Sequence, residues 1–185
     1  MKKILSFLLL AAIAVGANAQ KDSTKAIWFS IQKEGYFAAD DGKDYIIYHQ
    51  EGKTAKELYD MVCVNANRIY NMPQRVMSTV EGKSVSIRAY SNTCVYNYFM
   101  GKFFYEVCYN LLFEFKDGKI KINAPVINSI SGHDTFKGVI RYYWDSKGNL
   151  TKKGQERKSF TEFYFCKLLS DLVSKYEVIS KDDDW

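Results

Sequence analysis

The stretch FFYEVCYNLLFEFKDGKIKINA, residues 103–124, decides the fold. Over residues 103–115 the hydrophobic pattern has a period of two, so the odd-numbered side chains fall on one side of a strand and the even-numbered ones on the other. The odd positions are all apolar or aromatic, whereas the even positions include two glutamates and an asparagine. Asp117-Gly118 is a two-residue turn signal that joins this strand to the next. The stretch therefore predicts an antiparallel sheet with one core face and one open face of mixed character.

The residues before this stretch predict a strand followed by a helix. Residues 45–48, Tyr-Ile-Ile-Tyr, form a run of aromatic and β-branched residues that is typical of a strand. The pattern Thr54-Ala55-Lys56-Glu57 is a capping box, in which the Thr hydroxyl and the Glu carboxylate satisfy free amides at a helix start. Apolar residues at helical spacing follow. The helix ends before Pro73, because proline lacks an amide hydrogen and its ring obstructs the preceding turn.

The remaining elements are predicted from turns and from a second helical stripe. Three turn signals divide residues 74–130 into four antiparallel strands. Residues 131–158 lose this period and are interpreted as a long loop or an added hairpin. A helix opened by Ser159 or Thr161 follows. Its apolar stripe consists of Phe165, Leu168, Leu169, Leu172, Val173 and Tyr176.

The order of elements is strand, helix, four strands, helix. We therefore predict an α+β fold, a βαββββα unit whose antiparallel sheet carries both helices on one face. The opposite, open face is left for solvent or a partner. Alternation along the strands assigns to it Arg75, Met77, Arg88, Tyr90, Phe104, Glu106, Leu112, Glu114, Lys119 and Lys121.

The N-terminus has the pattern of a secretory signal peptide. Lys2 and Lys3 precede an apolar run that closes with Ala17-Asn18-Ala19. The run is shorter than the ~20 residues of a membrane-spanning helix, and no cysteine lies near the cleavage site to carry a lipid. We expect a periplasmic or secreted bacterial protein that is not a lipoprotein and does not insert into the membrane after cleavage. The predicted divisions are a signal peptide (1–19), an N-terminal extension with a short strand or hairpin (20–43), one domain (44–179) and an acidic tail (180–185).

The charge of the chain argues against a nucleic-acid partner. The 185 residues carry a net charge of +5, which falls to +3 once Lys2 and Lys3 are removed. A nucleic-acid-binding surface needs concentrated positive charge. Glu106 and Glu114 instead place two carboxylates on the open face. Export points the same way, so we expect no nucleic acid as partner.

These elements together resemble a known family. The resemblance rests on residues 45–47, 54–59, 81–83 and 107–119, and it covers about residues 44–130 together with the closing helix. The family is a group of secreted bacterial domains described as having a TATA-binding-protein-like (TBP-like) fold. The resemblance implies one βαββββα unit in an exported protein, and it implies no activity. Residues 131–158 depart from the family pattern.

Motifs for catalysis and metal binding are missing from the sequence. It contains no glycine-rich phosphate loop, no G-x-S-x-G or H-E-x-x-H pattern, and no closely spaced Cys and His pairs. We therefore predict no catalytic residue, no cofactor and no metal. The favoured function is a binding or structural module for a protein, a glycan or a small ligand. Candidate ligand-binding residues are Arg88, Tyr90 and Phe104 on the open face, and Tyr142, Tyr143 and Trp144 in an aromatic loop.

The alternative function is an envelope enzyme of unfamiliar type. It would use Glu106 with His133 or Cys94, which are distant in sequence and would have to converge in the fold. His49, the other histidine, lies at a strand end with no neighbour in sequence to orient it.

The four cysteines, at positions 63, 94, 108 and 166, leave two interpretations open. They are packed or free thiols, since free cysteine behaves as a small apolar residue. Alternatively, Cys63 and Cys166 form a disulfide, because two helices side by side on one sheet face bring the edges of their stripes together.

Overall fold

The computed structural model describes residues 27–98, 101–130 and 143–174 and, for residues 92–98 and 101–105, the backbone alone. The predicted signal peptide and acidic tail lie outside the described residues. In chain order the elements are β1 (Ser30–Ile31), β2 (Phe37–Ala38), β3 (Tyr45–His49), α1 (Ala55–Ile69), α2 (Pro73–Val76), β4 (Met77–Val80), β5 (Ser84–Tyr98), β6 (Gly101–Lys116), β7 (Lys119–Asn123), β8 (Val126–Ile130) and α3 (Lys152–Val173).

The main sheet is antiparallel and is organised around β6. The strand order is β3-β7-β6-β5-β4, and β8 pairs with β6 as well. β7 pairs with the C-terminal end of β6, at Phe113–Lys116, whereas β8 pairs further back, at Val107–Asn110. Pro125 separates β7 from β8, consistent with the missing amide hydrogen that removes proline from the interior of a sheet. The segment 74–130 therefore holds five strands instead of the predicted four.

Helix α1 begins as its capping box predicts. The Oγ1 atom of Thr54 accepts a hydrogen bond from the Glu57 amide at 3.2 Å, and the Glu57 carboxylate accepts one from the Thr54 amide at 2.8 Å. The side chain of Asp117, in the turn between β6 and β7, accepts a further hydrogen bond from the Ala55 amide at 2.8 Å. The turn that closes the hairpin thus also fixes the start of the helix.

Helix α3 begins earlier than the sequence suggested. Its N-cap is Thr151, whose side chain accepts from the Gly154 amide, so the predicted start at Ser159 or Thr161 is wrong. Gly154 lowers the helix propensity of this turn and conceals the start. Close packing requires a glycine at position 154, because a Cβ atom there would lie 1.7 Å from the carbonyl oxygen of Tyr143. The first turns of α3 therefore lie directly against the segment before it.

The core lies between the helices and one face of the sheet. α1 and α3 are joined by Asn65, whose side-chain amide donates to the carbonyl oxygens of Leu172 and Ser174 at 2.9 and 3.0 Å. The odd-numbered residues of β6 from Val107 to Phe115 are buried beneath the helices, as the alternation predicted. The α+β prediction is thus confirmed.

The β1–β2 hairpin packs into the same core. Phe29, Ile31 and Phe37 are buried, and the ring of Phe37 lies edge-on to Phe165 of α3 with centroids 5.4 Å apart. The Ile31 amide donates to the carboxylate of Glu162 at 2.6 Å. Residues of the N-terminal extension therefore contribute to the core of the domain. No helix in the described part of the chain combines the length and the apolar character that crossing a membrane requires.

Candidate functional site: the open face of the sheet

The open face of the main sheet is formed by the side chains that alternate with the buried ones. On β5, Val85, Ile87 and Ala89 are buried, so the even-numbered residues from Ser84 to Tyr90 point to the other side. On β6 the even-numbered residues from Glu106 to Glu114 do the same. This face has two halves of different character, which meet near the middle of β6.

The first half carries exposed apolar and cationic side chains, and we call it the Tyr90 patch. It consists of Arg88, Tyr90, Asn110, Leu112 and Val126. Cross-strand register places Arg88 opposite Asn110, and Asn110 opposite Val126. Tyr90 is 65% exposed, Val126 55% and Leu112 39%. The guanidinium of Arg88 has no ion-pair partner among the described residues. The patch is thus partly apolar, and the charged side chain of Arg88 lies within it.

Cys108 lies at the edge of the Tyr90 patch. Its side chain is on the open face of β6 but is buried by its neighbours. It is only 3% exposed, and Asn128 of β8 points its side-chain amide toward the sulfur at 3.9 Å. Tyr90 lies directly opposite Cys108 across β5 and β6. The neighbouring Cys108 thiol raises the pKa of the Tyr90 hydroxyl. Tyr90 thus lies beside Cys108 while its ring stays exposed.

One polar atom of the patch lacks a partner. The Oδ1 atom of Asn110 is buried and accepts no hydrogen bond from any described group. A buried acceptor of this kind costs free energy unless a ligand or a water molecule supplies a donor. Asn110 thus adds an unused acceptor beside the unpaired guanidinium of Arg88.

The second half of the face satisfies its own polar groups. Lys121 forms an ion pair with Glu114 at 2.8 Å and lies 5.2 Å from the centre of the Tyr45 ring. The side-chain amide of Asn123 donates to Glu114 at 3.2 Å. These hydrogen bonds, first that of Lys121, lower the pKa of the Glu114 carboxyl, and the same pair raises the pKa of Lys121. Glu114 and Lys121 are thus paired with each other, unlike Arg88 in the Tyr90 patch.

The residues predicted for the open face are only partly found there. Arg88 and Tyr90 lie on it, and the backbone of Phe104 lies in β6 opposite Val95. Met77 does not, because β4 pairs it with Ile87 and so turns it toward the core, against which it packs. Arg75 lies in the short helix α2 and not on a strand.

Two of the residues predicted for an exposed aromatic loop, Tyr143 and Trp144, belong to the core. Tyr143 is 4% exposed and Trp144 8% exposed, with their rings 5.7 Å apart. The Tyr143 hydroxyl forms a hydrogen bond with Thr161 at 3.2 Å. Both aromatics therefore cover the start of α3 instead of presenting a surface. Tyr142 lies outside the described residues.

The described part of the structure includes two of the three residues named for the alternative enzyme, Glu106 and the backbone of Cys94. Glu106 and His49 are both exposed. The backbone of Cys94 lies in β5 opposite Tyr105, and His133 is outside the described residues. Among residues 27–98, 101–130 and 143–174, no group of three or more His, Cys, Asp or Glu side chains could hold a metal ion.

Cys63 and Cys166 are free thiols. The sulfur of Cys166 faces the N-terminal segment and not α1, since it accepts a hydrogen bond from the Phe29 amide at 3.4 Å. Burial raises the pKa of the Cys166 thiol to about 11. Of the two interpretations, the free-thiol one agrees with the structure for Cys63 and Cys166 and the disulfide one does not, because the Cys166 sulfur lies against Phe29 and not against α1.

Sequence reasoning missed the contribution of β8. Val126 belongs to the Tyr90 patch and Asn128 lies beside it. A separate strand after Pro125 is not among the predicted elements. The β-branched pair Val126-Ile127 directly after Pro125 is the sequence signal that could have found it.

The fold defined by these elements is an antiparallel sheet with helices on one face, of the TBP-like class. Two solved structures share it. One is a TBP-like protein from Parabacteroides distasonis ATCC 8503, with a TM-score of 0.51 and 14% identity over 69% of this chain and 87% of that one. The other is a DUF4468 family protein from Bacteroides ovatus ATCC 8483, with a TM-score of 0.54 and 12% identity over 78% of this chain and 90% of that one.

The likeness confirms the TBP-like fold and carries no information about activity, because identity is far below the level at which function is shared. No protein-family model and no curated protein matches the chain.

Proposed function

We propose that the protein is an exported, non-enzymatic binding module that recognises another protein through the Tyr90 patch. The observation that carries the proposal is the contrast within the open face. Glu114 and Lys121 satisfy each other, whereas Arg88 has no ion-pair partner and Asn110 has an unused acceptor among the described residues. Unsatisfied polar groups beside exposed apolar ones are what a complementary surface would use.

The composition of the patch favours a protein over a glycan or a small ligand. Tyrosine and arginine are enriched among the residues that contribute most to protein–protein affinity. A small ligand would need a concave site, and the patch residues line no described pocket but lie side by side on three strands. The partner surface would supply a carboxylate for Arg88, a donor for Asn110 and apolar atoms for Tyr90 and Val126.

Export is supported by the sequence at residues 1–19, which has the charged, apolar and small-residue segments of a signal peptide. Fractionation of the producing bacterium, with N-terminal sequencing of the mature protein, tests this part. We expect the mature chain outside the cytoplasm and starting at Gln20. An uncleaved chain in the cytoplasm would contradict it.

Site-specific photo-crosslinking in the producing cells tests the binding function. A benzoylphenylalanine residue at position 90 should give one defined protein adduct, and Arg88→Glu should reduce its yield. The matched control places the same residue at position 119, on the second half of the open face. Equal adducts at both positions, an adduct insensitive to Arg88→Glu, a carbohydrate adduct or no adduct would each contradict the proposal.

A further inference from the structure

Strand β3 forms one edge of the main sheet. It pairs with β7 over Tyr45–His49, and no described strand pairs with its other side. The β1–β2 hairpin, which passes nearby, forms a separate sheet. An edge of this kind offers unpaired backbone groups to another chain.

The backbone groups that face outward can be assigned from two hydrogen bonds. The Ala124 amide donates to the Asp44 carbonyl at 2.8 Å, and the Gln50 amide donates to the Gly118 carbonyl at 2.8 Å. Paired residues of an antiparallel ladder alternate between hydrogen-bonded and free, so the even-numbered residues of β3 bond to β7. The amides and carbonyls of Tyr45, Ile47 and His49 therefore point away from the sheet, and no hydrogen bond to another described group engages them.

The usual protections of an edge strand are missing from β3. It contains no lysine, no proline and no glycine, and its register with β7 runs without a bulge. Ile47 is also 38% exposed. Natural proteins commonly protect such edges with charges, prolines or bulges. An unprotected edge in a folded domain is consistent with a strand that accepts a partner.

A pocket of about 210 Å³ lies directly against this edge. It is lined by Trp28, by the turn Ala39–Lys43 and by Tyr45–Ile47. Trp28 is 37% exposed and gives the pocket an apolar wall. Lys43 is paired with Asp41 at 2.6 Å, whereas Asp40 has no ion-pair partner among the described residues. The pocket is thus part apolar and negatively charged.

We propose that the free edge of β3 binds an extended segment of a partner protein, which adds to the sheet as a further strand. Its backbone pairs with Tyr45, Ile47 and His49. An apolar side chain of the segment enters the pocket beside Trp28, and a basic side chain faces Asp40. Strand addition of this kind takes its affinity from backbone hydrogen bonds and its specificity from the pockets beside them. The site lies on a different strand from the Tyr90 patch and does not depend on it.

The probe for the test is a short, fluorescein-labelled synthetic peptide in which lysine and valine alternate. Fluorescence polarisation measures its binding to the mature chain. Two control peptides carry glutamate in place of lysine, or a proline at the centre. We expect the lysine peptide alone to bind. Because the mature chain is itself positively charged, net charge would not attract this peptide.

Two variants of the protein distinguish the contribution of backbone pairing to peptide binding from the contribution of charge. Ile47→Pro removes one outward amide that the sheet does not use, and proline is tolerated on an edge strand in that position. It should weaken peptide binding at least about tenfold, because one hydrogen bond is lost and the ring blocks the edge. Asp40→Lys should weaken the lysine peptide and improve the glutamate peptide. The matched control, Asp171→Lys on α3, should change neither.

Three results would overturn the proposal. They are binding of no peptide to the wild-type chain, equal binding of the lysine and glutamate peptides, and unchanged binding to a folded Ile47→Pro variant. A wild-type chain that dimerises with increasing concentration, while Ile47→Pro stays monomeric and neither binds peptide, would assign the edge to a second copy instead. Arg88→Glu should leave peptide binding intact, which distinguishes this site from the Tyr90 patch.

Discussion

The two faces of β6 differ in how much they contribute to the folded core. Along one face, Tyr109, Leu111 and Phe113 are at most 1% exposed and pack beneath the helices. On the other face of the same strand, Leu112 is 39% exposed and Glu114 lies in a surface ion pair. Burial of apolar area is the main favourable term in folding. The helix-covered face therefore fixes the fold, and the open face contributes less to it.

The largest difference in stability between the two faces is expected from substitutions at two adjacent residues of β6. Phe113→Ala should lower the free energy of unfolding by about 3–5 kcal/mol, because it removes a fully buried ring and leaves a cavity. Leu112→Ala, its neighbour on the open face, should cost less than about 1 kcal/mol. Urea unfolding measures both. Similar losses in the two variants would show that the open face also contributes to the core.

The next largest effect should come from the buried ion pair of α3. The carboxylate of Glu162, 4% exposed, accepts from Lys158 at 2.5 Å and from the Ile31 amide at 2.6 Å. Glu162→Gln leaves the largely buried Lys158 ammonium, 16% exposed, without a counter-charge and should cost about 3 kcal/mol. It should also loosen the β1–β2 hairpin, which hydrogen exchange at Ile31 would detect.

Two further variants control the Glu162 experiment. Lys158→Met combined with Glu162→Gln should recover most of the stability, since no unpaired charge then remains. Asp171→Asn breaks the exposed pair with Lys167, at the same spacing in the same helix, and should cost less than about 0.5 kcal/mol. A full loss in the double variant would mean that the hydrogen bond to Ile31, and not the charge, carries the effect.

A smaller effect, with a diagnostic sign, is expected at Gly154. In an unobstructed helix, alanine would stabilise relative to glycine by about 1 kcal/mol. Here its Cβ would collide with the backbone of Tyr143, so Gly154→Ala should destabilise by about 1–3 kcal/mol. Lys152→Ala in the same turn should stay within about 0.5 kcal/mol. A stabilised Gly154→Ala variant in thermal unfolding would refute the close packing.

Local patterns were sufficient for the elements whose signals lie within a few residues. The alternation of β6, the capping box at Thr54 and the turn at Asp117-Gly118 were all confirmed, since each depends on neighbours in sequence. Arg88 and Tyr90 were placed on the open face for the same reason. The face of a strand follows from its own alternation once a single residue is known to be buried.

The predictions that failed depended on long-range packing. Met77 was assigned to the wrong face because the pairing register across the β4–β5 turn decides it, and a shift of one residue exchanges the faces. Tyr143 and Trp144 look like a surface cluster in sequence, but the approach of α3 at Gly154 buries them. The Tyr90 patch was incomplete because β8 is added from beyond Pro125, and no local signal shows that it pairs with β6.

The smallest expected effect concerns the self-satisfied half of the open face. Glu114 is 46% exposed, so solvent screens its pair with Lys121, and Glu114→Gln should cost at most about 0.5 kcal/mol at neutral pH. Because the folded-state pKa of Glu114 lies below its ordinary value of 4.5, the contribution is present above that value and is lost as the pH falls through the folded-state pKa. Urea unfolding of the wild type and Glu114→Gln should therefore differ slightly near neutral pH and converge in acid, and added salt should reduce the neutral difference. A large difference that persists in acid or in high salt would mean that Glu114 holds the sheet together through packing, and the open face of β6 would then contribute to stability as its helix-covered face does.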